Sequence, residues 1–316
     1  MPAVEMLNPA QQEVLDVLGE PRARRRSFDA GLRAELRAEL EAGLAPLAEA
    51  LGPPGERPAL YLSKHTVAAV HGCEVRFVHE DAVGFPGWSV PIARGTVAHK
   101  AIELSLHLRG ATAPLDLVDE AIARLADGDR SLADWLGGLG DVEQAELRAE
   151  ANDRVAKFLE CWPPLRTRWR PVTESRLGLD LCDGRVALRG KVDLVLGQTL
   201  GTIAGKVLVD LKTGGFAPVH VDDLRFYALI ETLRLGVPPR RLATYYLDAG
   251  RFMCEDVTEA ALFSAAARLV DGARHVVDLR AGARAATARV GPTCRWCPLL
   301  DGCDPGRQHV GATDDA

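Results

Sequence analysis

Two apolar stretches, each carrying an aspartate where a buried strand is expected, constrain this chain more than any other feature. Gly190-Lys191-Val192-Asp193-Leu194-Val195-Leu196 and Val207-Leu208-Val209-Asp210-Leu211-Lys212 have the Val/Leu richness of strands covered on both faces. An ionised carboxylate inside such a strand is costly unless it meets a cation or strong hydrogen-bond donors. Strand alternation puts Asp210 and Lys212 on one face, so two carboxylates and one ammonium are expected to converge. That set suits metal-assisted hydrolysis of a phosphodiester. Carboxylates hold Mg²⁺ or Mn²⁺, and a lysine orients the nucleophile or stabilises developing charge. A salt bridge at a strand end is the plainer reading of an Asp-x-Lys pair.

The rest of the chain supplies a context for these strands. Residues 1–57 read as an N-terminal helical segment, amphipathic from Phe28 to Leu51 and stopped by Gly52-Pro53-Pro54-Gly55. Residues 58–305 read as one domain. It contains a helix over 95–108, a helical insert over about 110–160, strands over 168–181, 185–196, 206–211 and 242–247, and helices over 221–235 and 258–277. Asp248-Ala249-Gly250 reads as a hairpin turn into residues 251–254, and 306–316 as a flexible tail. The expected class is mixed α/β, a small central sheet flanked by helices.

Composition narrows the function. With 47% hydrophobic and 26% charged residues over 316 positions, the chain has ordinary globular usage and not that of a disordered one. A net charge of −6 argues against a DNA binder with a basic coat, but an active site that holds cations is itself acidic. No basic-then-apolar leader and no run of about 18 apolar residues is present, so a cytoplasmic protein without membrane contact is expected. The run Arg22 to Arg26 reads as a solvated loop. Arg166, Arg168 and Arg170 around Trp169 fit equally a phosphate stripe with one stacking platform and a solvated edge.

Seven cysteines are an odd number for a disulfide framework, and in a reducing compartment metal binding is the better first reading. Cys294, Cys297 and Cys303 form a C-x2-C-x5-C array that needs a fourth ligand. Cys161, Cys182 and Cys254 read as small buried hydrophobes.

Gly190-Lys191-Val192-Asp193 followed by Asp210-Leu211-Lys212 resembles the G-x-x-D and (D/E)-x-K elements of the PD-(D/E)XK nuclease superfamily, in its RecB-like exonuclease branch. The resemblance implies a restriction-endonuclease-like core. It also implies a metal-ligating histidine in a G-x-x-x-H pattern, supplied here by Gly95-Thr96-Val97-Ala98-His99, with Glu103 one turn on as a partner on the same face. Asp193, Asp210 and the main-chain carbonyl of Leu211 become the other metal ligands, with Glu174 as an accessory carboxylate. The branch's Q-x-x-x-Y element is met by Tyr227, expected in the catalytic set with Asp193, Asp210 and Lys212. Asp223 stands where the glutamine is expected; it lacks an amide's donor and is read as an N-cap or a water-mediated metal contact.

Members of the branch that carry an iron-sulfur cluster, such as the AddB nuclease module and CRISPR-associated adaptation nucleases, have one cysteine upstream and three downstream of the nuclease motifs. The resemblance therefore implies a 4Fe-4S staple on Cys73, Cys294, Cys297 and Cys303. Zn²⁺ is the competing occupant, with His71 beside Cys73. The implied activity is a metal-dependent DNA exonuclease acting on single strands or exposed ends in repair, recombination or defence. The alternative is a catalytically silent DNA-end-binding or scaffold subunit, favoured by Asp223. A zinc-stapled interaction protein comes third. No Gly-x-x-x-x-Gly-Lys-Ser/Thr motif occurs, so a helicase or other repair or defence partner is expected on a separate polypeptide.

Overall fold

Helix starts in this protein are written by short polar side chains. Asn8 accepts from the peptide N–H of Gln11, Ser63 from that of Thr66, and Asp129 from those of Ser131 and Leu132. The computed structural model describes residues 6–53, 55, 60–107 and 112–314. Its elements in chain order begin with α1 (Pro9–Leu18), α2 (Leu32–Ala50), β1 (Leu60–Leu62), α3 (Lys64–Gly72), α4 (Glu74–Val83) and α5 (Val90–His107). Helices α6 (Pro114–Gly128), α7 (Arg130–Gly137) and α8 (Asp141–Cys161) precede strands β2 (Val172–Leu181), β3 (Val186–Leu196) and β4 (Val207–Lys212). The chain ends with α9 (Val219–Leu235), β5 (Arg241–Tyr246), β6 (Arg251–Asp256), α10 (Glu259–Arg280) and α11 (Asp304–Asp314).

These elements form two compact units. The first takes residues up to Ala34, Gly87–Leu177 and Lys191–Leu262. In it the second half of β3 runs antiparallel to β4, with Leu194 opposite Val209 and Leu196 opposite Val207. Strand β4 is parallel to β5, which returns antiparallel to β6. A parallel neighbour requires a crossover, and α9 supplies it. Val207, Val209 and Leu211 on one face of β4 join a core with Val97, Ala98 and Ala101 of α5, Val118 of α6 and Phe158 of α8. Leu208, Asp210 and Lys212 lie on the opposite face, where α9 packs on β4 and β5. The result is the mixed α/β arrangement expected, a sheet flanked by helices.

The second unit takes Glu35–Pro86, Gly178–Gly190 and the chain from Phe263 onward. Leu36, Leu40, Leu44 and Ala48 of α2 are fully buried at a four-residue spacing. A Cβ on Gly43 would stand 2.8 Å from both methyls of Val270, so α2 and α10 approach closely there. Strand β1 pairs in parallel with the first half of β3, Leu60 to Val186 and Leu62 to Leu188.

Several expectations change. The segment read as one N-terminal helical piece is two helices with a 3-10 turn at Arg22–Arg24, and it contributes to both units. Strand β2 begins at Val172 and not at 168, because Thr167–Trp169 is a 3-10 turn and Arg170 takes a left-handed φ of 48°. Residues 306–314, expected as a flexible tail, belong to α11. The expected insert is three helices, broken at Gly128 and Gly137-Gly138; its start at 110–111, Pro54 and residues 315–316 lie outside the described residues. Cys254 is exposed on β6 and not buried. Among the described residues no helix is long and apolar enough to cross a membrane.

Candidate active site

The site grows from the point where β3 and β4 part. Their antiparallel register runs from Leu196–Val207 to Leu194–Val209. Two residues beyond Val209, the peptide N–H of Leu211 donates to the Asp193 carboxylate at 2.7 Å. That bond fixes Asp193 and offsets part of the cost of burying its charge.

Helix α5 brings His99 to the same carboxylate, with Nδ1 3.4 Å from the other oxygen of Asp193. Burial lowers the His99 pKa, but the carboxylates of Asp193, Asp210 and Glu174 outweigh it, and the net shift is upward. Helix α5 begins at Val90 and not at Gly95 as expected, and close packing explains the glycine four residues before His99. A Cβ on Gly95 would lie 3.2 Å from the Thr213 hydroxyl, directly after Lys212.

Glu174 completes a donor set. Among the described residues, ligand atoms of His99, Glu174 and Asp193 lie within 4.8 Å of one another. Glu174 sits in β2 with a left-handed φ of 51°, and its carboxylate pairs with Lys191 of β3. One imidazole nitrogen and two carboxylates, with Asp210 close enough to act on His99, form an oxygen-rich set suited to Mg²⁺ or Mn²⁺.

Lys212 points from the end of β4 toward two acids. Its Nζ lies 2.9 Å from Asp210 Oδ2 and 3.2 Å from Asp223 Oδ2. Asp210 is 1% exposed, and Asp223 is buried in the second turn of α9. The helix starts at Val219, so the N-cap role weighed for Asp223 does not hold; its carboxylate accepts from Lys212 instead. Tyr227 lies one turn further along α9 and is buried beside Phe226, their ring centroids 5.9 Å apart. Glu103 is not the partner of His99; it pairs with Lys100 at 2.9 Å, while His99 turns to Asp193.

Thus Asp193, Asp210, Lys212, His99, Glu174 and Asp223 come together as one charged group. Lys191, within the Gly-x-x-Asp element, pairs with Glu174, and period-two alternation with Asp193 is the sequence signal that it faces the same way.

In the second unit the three cysteines singled out by spacing and Cys73, implied by the resemblance, line one small cavity of about 30 Å³. Cys73 joins α3 to α4, while Cys294, Cys297 and Cys303 sit at 3-10 turns over Pro292–Trp296 and Leu300–Gly302. The peptide N–H of Arg289 reaches Cys73 Sγ at 3.5 Å, and that of Gly291 reaches Cys294 Sγ at 3.4 Å.

A family model described as the PD-(D/E)XK nuclease superfamily matches residues 61–304. Among solved structures, a protein named "Putative exonuclease" from Eubacterium rectale is 12% identical, with a TM-score of 0.45 over 78% of this chain and 87% of that one. A second, named SSO0001, is 14% identical, with a TM-score of 0.34 over 86% of this chain and 94% of that one. No curated protein matches this chain. The family match spans both carboxylate strands, the helix bearing His99 and all four clustered cysteines, and on it the chain belongs to the PD-(D/E)XK nuclease superfamily.

Proposed function

We propose that this protein is a divalent-metal-dependent DNA exonuclease, acting on single strands or exposed ends and leaving 5′-phosphate and 3′-hydroxyl products. One observation carries the reading: His99, Glu174 and Asp193 bring ligand atoms within 4.8 Å of one another, beside a lysine held 2.9 Å from Asp210. His99, Glu174, Asp193, Asp210 and the Leu211 carbonyl would hold Mg²⁺ or Mn²⁺. When bound, such a cation neutralises phosphate charge and makes water a stronger acid.

The protein's own part is positioning. The Leu211 N–H holds Asp193 in one orientation, so its oxygens need no rearrangement when substrate arrives. Asp210 and Asp223 hold Lys212 aimed, and its ammonium orients the attacking water or stabilises charge on the phosphoryl oxygens. Water adds to phosphorus, the bond to the 3′ oxygen breaks, and the leaving oxygen takes a proton.

The cysteine site fits a 4Fe-4S cluster as a structural staple of the second unit. Four thiols around one cavity are the donor set such a cluster takes, and Zn²⁺ takes the same set. DNA and a separate helicase or repair or defence protein are the partners this reading takes.

The test is degradation of end-labelled single- and double-stranded DNA by anaerobically purified protein with Mg²⁺ or Mn²⁺. Cleavage by the wild type, lost in both Lys212→Ala and Asp210→Ala with folding retained, is the expected result. DNA binding without cleavage by the folded, cluster-loaded wild type would move the reading to a silent end-binding subunit.

A further inference from the structure

The first unit contains a second cavity, of about 380 Å³, within the usual size of small-ligand sites. It is walled by Arg25, Arg168, Arg170 and Arg240, with Glu20 as the one carboxylate, and by the rings of Trp162 and Trp169. In a chain of net charge −6, four guanidinium groups around one cavity make a local positive field.

Two of these residues are more than nine-tenths buried, Arg240 at 7% exposure and Trp162 at 3%. Nε and Nη1 of Arg240 and Nε1 of Trp162 have no hydrogen-bond acceptor among the described residues, and Nη1 lies 3.7 Å from the Glu20 carboxylate. Burial, with Arg241 alongside, pushes the Arg240 guanidinium down to about 10. Buried donors left in this state are what an acceptor-rich anion would relieve.

The backbone is arranged to keep the cavity. Arg170 holds a left-handed φ of 48° after the turn at Thr167–Trp169, and the Trp169 carbonyl accepts from the Gly197 N–H at 2.6 Å. Gly197 has a φ of 81°, and a Cβ there would lie 2.5 Å from the Gly205 carbonyl oxygen. The Arg168 guanidinium carbon is 5.9 Å from the centre of the Trp169 ring, so cation and aromatic surface are presented together. Leu196, on the cavity wall, is three residues along β3 from Asp193, a distance of about 10 Å.

We infer that this cavity binds a single nucleotide, its phosphate on the arginines and its base against Trp169. A flat ring bearing a phosphate matches both the aromatic wall and the guanidinium excess. The choice of a nucleotide over other aromatic anions rests on the nuclease reading. The nucleotide comes either from the substrate strand or from a free mononucleotide.

Tryptophan fluorescence tests this without divalent cation, so that nothing is cleaved. The full chain is titrated with thymidine 5′-monophosphate, with a 5′-phosphorylated ten-nucleotide oligothymidylate, and with inorganic phosphate. Arg168→Gln and Trp169→Ala are expected to weaken nucleotide binding at least about tenfold each, and Trp169→Phe to retain it. Far-ultraviolet circular dichroism and the melting temperature should match wild type in these variants, so that a loss of binding is not a loss of fold. Binding of the monophosphate assigns the site to free nucleotide, and binding of the oligonucleotide alone assigns it to the strand. Binding of neither, undiminished binding in both variants, or phosphate binding as tightly as the nucleotide would overturn the proposal. Failure of the nuclease reading shows separately, as wild type that cleaves no DNA with Mg²⁺ or Mn²⁺ while the fluorescence titration still reports on the cavity.

Discussion

The carboxylate site of the first unit and the cysteine site of the second are built on opposite plans. The first takes its side chains from regular elements, β2, β3, β4, α5 and α9, and holds them by charge: Leu211 N–H on Asp193, Lys212 between Asp210 and Asp223, Lys191 on Glu174. The second takes three of its four thiols from 3-10 turns and the fourth from a helix junction, with two peptide N–H groups as the polar contacts to sulfur. A site held by its own sheet is preorganised before anything binds. A site held by turns depends for its strength on what the thiols bind. Loss of one side chain should therefore remove activity in the first unit and stability in the second.

The largest effect expected on that contrast is in the first unit. Asp193→Ala should lower DNA cleavage by at least about a thousandfold, since it removes a proposed metal ligand and the acceptor for Leu211 N–H. Absorbance of the proposed cluster, at about 400 nm, should persist. Loss of that absorbance together with activity would break the comparison. The converse comes next. On the proposed cluster, Cys297→Ser should abolish the absorbance and lower the melting temperature by about 5 °C or more, because removal of one thiol would release a group that ties turns to a helix junction. A Cys297→Ser protein that melts like wild type would show that the turns need no staple.

The two plans also decide what the sequence discloses. Asp193, Asp210 and Lys212 were legible because an acid in a Val/Leu strand contradicts its surroundings, and strand alternation then gives the shared face. The strands from β3 to β6 were legible for the same reason, with ends within a residue or two. Glu174 was legible as an accessory carboxylate but its geometry was not, because that rests on a left-handed backbone in β2 that no side-chain pattern announces. Nor was Asp223 as the second acceptor of Lys212, since its place depends on where α9 starts, and a shift from 221 to Val219 turns a cap into an interior residue. Strand β1, three residues long, is too short to show a period.

Glu74, directly after Cys73, offers a smaller and pH-dependent test of the second unit. Its carboxylate accepts two hydrogen bonds from Arg284, at 2.6 and 2.7 Å, and one from the Thr287 N–H at 2.9 Å. The Arg284 hydrogen bonds, with Thr287 and His275, hold its carboxyl down at about 2. A folded pKa below the unfolded one stabilises the protein fully above pH about 4.5, and that contribution disappears as pH falls through about 2. Glu74→Gln should cost about 2 kcal/mol at pH 7, after allowance for the exposed side of Arg284, and the gap from wild type should close between pH 4.5 and 2. A gap that is the same at both ends of that range would mean the carboxylate's charge is not what anchors the segment leading to Cys294.

The smallest effect is expected back in the first unit, at the residue that departs from the resemblance. Asp223 and Asp210 share Lys212, so removing one acid's charge leaves the ammonium with the nearer partner, 2.9 Å away, and its aim largely kept. Asp223→Asn retains an acceptor oxygen at nearly the same place and should lower cleavage by no more than about threefold to tenfold. Asp210→Asn should cost far more, since it also weakens the metal site. Activity that rises in Asp223→Asn would mean that the second carboxylate restrains the lysine, which is how a fold with every catalytic group in place could be kept slow. A loss as deep as that of Asp193→Ala would place Asp223 among the metal-holding groups, and the division between a preorganised site and its positioning shell would then fall one residue further out on α9.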